Sequence, residues 1–408
     1  MPAAITKAPH AEKLHLLQGP VWFSAVALAI ILAGCATVNG TPAPTATPHA
    51  QLDPSLASQS VYVTVTLGEG EQNDGLTVSM NAQTGALRWK TDTGGTFGTP
   101  SVAGGAVYMA SEDSSIRSLD AVTGKQRWSY TRTVGISRQS GYDGYTTVSG
   151  NTVYVASDSG ALFALDGATG KRRWDVVWPS LLDTLYAAPA VDSGMVFAAV
   201  GGPDGGAYAL SATTGKVVWK TSHVLGFDAR PLVADGVVYF ASQASDTLVA
   251  LDEQTGAQRW STGSSGINSP PAIGGGLIYV AGADAIIRAF HTQDGSPAWT
   301  FQTGGIAGVP AIATGAALTL DGSTLYAGSQ GGIFYALNAT TGKQRWSANA
   351  HSPIDSPPAV ANGAVFAATE SGEVLAFRAS DGTPAWTYSS GPNGMINSGP
   401  AIAPATSA

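Results

Sequence analysis

The side chains whose types and spacing could do chemistry are a set of Asp and Asn residues that recur at one place in a repeated stretch. Asp228, Asn268, Asp355 and Asn397 each stand three residues before a proline, and Asp143 takes the corresponding slot in a degenerate copy. Phe97, Tyr186 and Ala307 fill that slot elsewhere. Carboxylate and amide oxygens of this kind gather a hard cation or fix a polar ligand in a cleft. The same residue types also cap tight turns by bonding their own backbone, and Arg230 is placed to neutralise Asp228, which weakens a metal reading. Other chemistry is excluded quickly. His223, His291 and His351 are scattered without the H-E-x-x-H spacing. The Gly-Lys pairs ending at Lys125, Lys171, Lys216 and Lys343 are not followed by Ser or Thr, as a phosphate loop requires. No G-x-S-x-G elbow occurs. No catalytic residue and no metal ligand set is assigned.

The one cysteine, Cys35, closes the run VWFSAVALAIILAGC at residues 21–35, downstream of Lys7 and Lys13. That apolar stretch is short for a membrane span and has the order of an export signal. Leu32-Ala33-Gly34-Cys35 resembles the lipobox of bacterial lipoproteins, in which the thiol carries diacylglycerol. The expectation is a signal peptide over 1–34, lipidation of Cys35, and a Pro/Thr/Ala-rich tether over 35–59. With its only thiol acylated, the chain has no disulfide and no cysteine nucleophile.

These residues need a frame, and the frame is a repeat. Gly-x-x-x-Trp occurs eight times, ending at Trp89, Trp128, Trp174, Trp219, Trp260, Trp299, Trp346 and Trp386, with 39 to 47 residues between successive tryptophans. That period is the length of one four-stranded propeller blade. In Leu119–Trp128 (LDAVTGKQRW) a strand ends, a turn follows in which the glycine takes a left-handed conformation, and the next strand carries the tryptophan. The Thr or Asp before each such glycine bonds the turn backbone. Each tryptophan fills the gap between neighbouring blades. Alternating apolar strands precede the turns, as at 153–156 with 161–165 and 237–241 with 247–251. A fourth strand follows a proline at Pro189, Pro231, Pro271, Pro310 and Pro358.

The first repeat lacks this strand, and Ser398–Ile402 supplies a spare one after the last tryptophan. The expected fold is therefore all-β: an eight-bladed β-propeller over 60–404 with four-stranded antiparallel blades, the first blade closed by the C-terminal strand. Composition agrees. Charged residues make up 12% of the chain, about half the usual share, and there are 51 glycines. The net charge is −8, and the leader's Lys7, Lys13 and Glu12 account for +1, leaving −9 on the rest. No basic stripe is present for nucleic acid. The loop 175–188 adds an apolar cluster outside the repeat, Trp178, Leu181, Leu182, Leu185 and Tyr186. It is either a partner-binding patch anchored on Trp178 or a satellite core.

The LDxxTGKxxW core resembles the pyrroloquinoline-quinone (PQQ)-like repeat family over nearly all of 60–404. The resemblance implies one of two roles. One branch holds periplasmic dehydrogenases that seat PQQ and calcium near the propeller axis. The other holds non-catalytic propellers, including the lipoprotein of the outer-membrane β-barrel assembly machinery. Length, anchor, tether and compact blades match the second branch, and the cysteine pair often found under the quinone is absent. The implied protein is a monomeric, lipid-anchored, extracytoplasmic scaffold with a protein partner and no cofactor. PQQ with calcium in the axial funnel, or a small ligand or polysaccharide bound there, are the alternatives.

Overall fold

The computed structural model describes residues 50–405 except 69–73, 97, 112, 133–144, 179, 181–183, 186, 222–228, 243–244, 265–266, 268 and 305–317. The described chain forms eight antiparallel sheets, each of four strands in sequence order apart from the first. The fifth blade shows the pattern: an inner strand Leu232–Ala234, then Val237–Ser242, Thr247–Asp252 and the outer Gln258–Gly263. Inner strands are three to five residues long and the next two strands are largely buried, because their side chains face the neighbouring blades on both sides.

Each outer strand begins with a bulge that repeats in all eight blades. In the second blade Trp128 pairs with Ser118 but Gln126 pairs with Leu119, which leaves Arg127 as the extra residue. The bulge turns that guanidinium back onto the preceding turn, where it meets Asp120 at 2.8 Å. Arg173–Asp166 and Arg259–Asp252 repeat the pair at 2.8 Å. The other oxygen of each aspartate accepts from the backbone N–H and the hydroxyl of the threonine three residues on. Arginine hydrogen bonding is the main reason that the three carboxyls are held at about 2. These ion pairs are solvent-facing and contribute little on their own.

The seams between blades carry the fold. The turn glycine of every blade lies against the tryptophan ring of the blade before it. A Cβ on Gly124 would sit 2.7 Å from the Trp89 ring, and one on Gly170 at the same distance from Trp128. The last pairing, Gly85 with Trp386, joins the end of the ring to its start. These glycines have φ between 69° and 74°, the left-handed region, so the turn and the seam both require the missing side chain. Each indole N–H donates to a backbone carbonyl of the next blade, as in Trp128 to Gly167 at 2.9 Å and Trp386 to Ala82 at 3.1 Å. An aromatic ring from the same blade tilts against each indole at 5.6–6.0 Å between centroids.

Closure follows the expected route. Ala401–Pro404 pairs with Gln59–Leu67, placing Ile402 opposite Val61, and Gly394–Met395 adds a second short pairing at the far end of that strand. Two details differ from the sequence reading. Packed chain begins before residue 60: Leu52 and Leu56, the latter on a short 3-10 turn capped by Asp53, are buried between the first and last blades. The inner strand described for the seventh blade is Leu318–Asp321, downstream of the segment after Pro310, which lies outside the described residues. Leu320 opposite Leu325 supplies the alternating apolar pair there, and Gly322 at φ 55° makes the turn. Pro310 and Ala307 lie outside the described residues.

One seam departs from the rule. The residue whose carbonyl receives the indole N–H is Ala, Gly or Thr in seven blades and Glu253 in the fifth. The Glu253 side chain is 3% exposed, and its Oε1 has no hydrogen-bond partner. Burial, with Asp192 of the adjacent hairpin as a further cause, pushes its carboxyl above the ordinary 4.5.

Two outcomes are expected. Gly124→Ala costs about 2–5 kcal/mol, from the left-handed backbone and the collision with Trp89. Gly150→Ala has φ 56° but open space around its Cβ, and costs about 1–2 kcal/mol; denaturant midpoints compare the two. Glu253→Ala raises the thermal midpoint at pH 7. A carboxyl whose folded pKa lies above 4.5 helps folding most below that pH and opposes it once pH exceeds the folded value. The advantage of Glu253→Ala therefore shrinks as pH is lowered through the raised folded pKa towards 4.5 and levels off below it, and a pH-independent difference contradicts the assignment.

Candidate functional site

A cavity of about 710 Å³ opens among the inner strands. Its wall is built from the segments that lead into those strands, and prolines give it much of its surface: Pro100, Pro231, Pro271, Pro358 and Pro400 each stand one residue before an inner strand. Proline suits that place because the innermost edge has no further strand to receive an N–H. The cavity is within the size range of small-molecule sites.

Of the five ring residues expected from the sequence, Asp355 and Asn397 are described, and both line this cavity. Asp143, Asp228 and Asn268 lie outside the described residues, as do Phe97 and Tyr186. Asp355 is engaged, since it accepts a hydrogen bond from the Gln330 side chain. Asp192, at the far end of the fourth blade's inner strand, also lines the cavity and accepts from the Ser193 hydroxyl at 2.8 Å. Asn397, three residues before Pro400, makes no side-chain hydrogen bond among the described residues.

Arg230 is the group the sequence reading undervalued. The sequence places it to neutralise Asp228, which lies outside the described residues; no described residue accepts a hydrogen bond from its guanidinium or pairs with it. Arg230 is exposed to solvent at the cavity wall, and the protein crowded around its guanidinium lowers its pKa from the ordinary arginine value. Ser356, beside Asp355, is 5% exposed with a hydroxyl that meets no partner. The sequence signal for both was their place one and two residues before the repeat prolines Pro231 and Pro358, which only the fold converts into a shared wall. Among the described residues, no group of three His, Cys, Asp or Glu side chains gathers to hold a metal ion.

The second expected site is resolved by packing. Trp178 is 5% exposed and Leu185 is 1% exposed, both within the core shared by the third and fourth blades. The Trp178 ring meets Tyr208 edge-on at 5.2 Å, and its backbone N–H donates to Gly160. These two side chains take the satellite-core alternative, because the apolar face between two blades is available to them. As an exposed anchor, Trp178 is therefore corrected. Leu181, Leu182 and Tyr186 lie outside the described residues, as does Cys35.

With this geometry in view, comparison with known proteins is informative. A family model described as outer membrane protein assembly factor BamB matches residues 36–203, 136–221, 203–333 and 305–407. The outer membrane protein assembly factor BamB of Bordetella pertussis is 27% identical over 223 residues, which cover 51% of this chain and 56% of that protein. The serine/threonine-protein kinase AfsK of Streptomyces griseus is 32% identical over 167 residues, covering 38% of this chain and 20% of the kinase. This chain thus spans from about a fifth to just over half the length of these curated relatives. The crystal structure of BamB from Moraxella catarrhalis superposes with a TM-score of 0.61 at 21% identity, covering 79% of this chain and 97% of that one. At that identity the superposition shows the fold. The family model reaches across all eight blades, and on that match the chain belongs to the family of outer membrane protein assembly factor BamB.

Proposed function

We propose that this protein is a lipid-anchored scaffold of the cell envelope that takes part in the assembly of outer-membrane proteins. The observation that carries the proposal is the match to the assembly-factor family across the whole propeller. The chemistry of the chain agrees with a binding role. The described loops between blades are short, and the polar turn residues serve the turns themselves. The order of leader, small residues and Cys35 supports an acylated anchor, and two or more acyl chains hold a protein on a membrane where one is marginal. The tether before residue 50 lets the propeller stand away from that surface. No resident cofactor belongs to this reading.

The test is isolation from envelope membranes after mild crosslinking. The full chain is expected to co-purify with outer-membrane assembly components, and Cys35→Ser is expected to appear in the soluble exported fraction. Recovery of the full chain without any such component overturns the assembly role. Membrane retention of Cys35→Ser overturns the anchor. Calorimetric titration of PQQ with calcium into the full chain addresses the dehydrogenase branch: no saturable heat is expected, and saturable binding would reverse the choice between the branches.

A further inference from the structure

The polar groups that line the axial cavity divide by whether they already have partners. Both described carboxylates are engaged as acceptors, Asp355 by Gln330 and Asp192 by Ser193. The groups without a described partner all carry donors: the Arg230 guanidinium, the Asn397 amide and the Ser356 hydroxyl. They come from the segments leading into the fifth, first and eighth blades respectively. The one unpartnered group that can only donate is the Arg230 guanidinium, since the Asn397 amide and the Ser356 hydroxyl can donate or accept. A cavity with such a group at its wall can receive an acceptor. The strongest free donor is a planar guanidinium, which takes an oxyanion through two parallel N–H bonds.

The charge of the ligand follows from the same wall. Two aspartates share the cavity with one arginine, so the lining carries a net −1 among the described residues. A dianion such as phosphate at neutral pH is repelled by both carboxylates, whereas a single charge is held by Arg230 with half the repulsion. The proline rings around the opening provide apolar surface for the remainder of the ligand.

We propose that the axial cavity is a binding site for a monocarboxylate with an apolar body, its carboxylate held by Arg230. The carboxylate belongs either to a small organic acid or to the C-terminus of a peptide segment. The site does not depend on the scaffold role above, since a propeller of any function would retain it.

Calorimetric titration of the full chain tests it with four probes: hexanoate, N-acetylphenylalanine, N-acetylphenylalanine amide and inorganic phosphate. Both carboxylates are expected to bind saturably. The amide and phosphate are expected to bind about tenfold more weakly or less, the loss of one charge-assisted contact. Arg230→Gln is expected to weaken both acids by about the same factor while leaving the thermal midpoint unchanged. Tighter binding of N-acetylphenylalanine than of hexanoate identifies a chain terminus as the source, and the reverse identifies a small acid. Failure of both acids to saturate, equal binding of acid and amide, or acid binding unchanged in Arg230→Gln each overturns the proposal. The acid–amide comparison needs no variant, so it stands even if the substituted protein folds poorly.

Discussion

Each blade is joined to the next by a tryptophan ring lying where a glycine has no side chain, and the rest of the structure depends on that contact. The glycine backbone is left-handed, which makes the turn, and its missing Cβ admits the ring, which makes the seam. Two requirements thus fall on one residue, and no other amino acid meets both. The indole N–H fixes the angle between blades by donating to a carbonyl one residue past the strand end. Because the eighth tryptophan meets the first blade's glycine, the ring closes on itself, and the axial cavity is the space left when eight such angles complete a turn.

The polar features of the turns are secondary to this. The Asp–Thr–Arg arrangement is solvent-facing, and its carboxyls titrate low because arginine and backbone donors favour the charged form. Such groups specify the turn more than they stabilise the molecule. Where the repeat departs from its own rule, at Glu253, a carboxyl has entered a seam that elsewhere accommodates Ala, Gly or Thr. The structure supplies no donor for its inner oxygen. The departure sits beside Asp192, a residue of the axial wall.

A frame held by its seams leaves the loops and the axial wall free to carry specificity. That is the arrangement expected of a binding module, in which a rigid scaffold presents variable segments. Membership of the assembly-factor family is in keeping with it. Fold alone would not separate a scaffold from an enzyme, and the particular side chains of the axial wall, with Arg230 unpartnered among the described residues, describe what this frame is equipped to receive.

By itself the sequence determined the fold class, the blade number and the closing strand, because the seam constraint is local and periodic: Gly and Trp recur at a spacing that one blade imposes. It also marked Asp355 and Asn397 as residues near the axis, since they keep a constant distance from the prolines of the inner strands. Only the tertiary structure decided what depends on neighbours distant in the chain. Leu318–Asp321 is the seventh inner strand because Leu320 finds Leu325, while the more familiar Pro-Ala-Ile pattern lay upstream. Trp178 is buried because the third and fourth blades offer it Tyr208, a neighbour thirty residues away in sequence. Arg230 lines the axial cavity with no partner among the described residues, a placement that only the fold supplies. Pattern reports the period of a repeat; which polar group is left without a partner depends on three-dimensional distances that no period encodes.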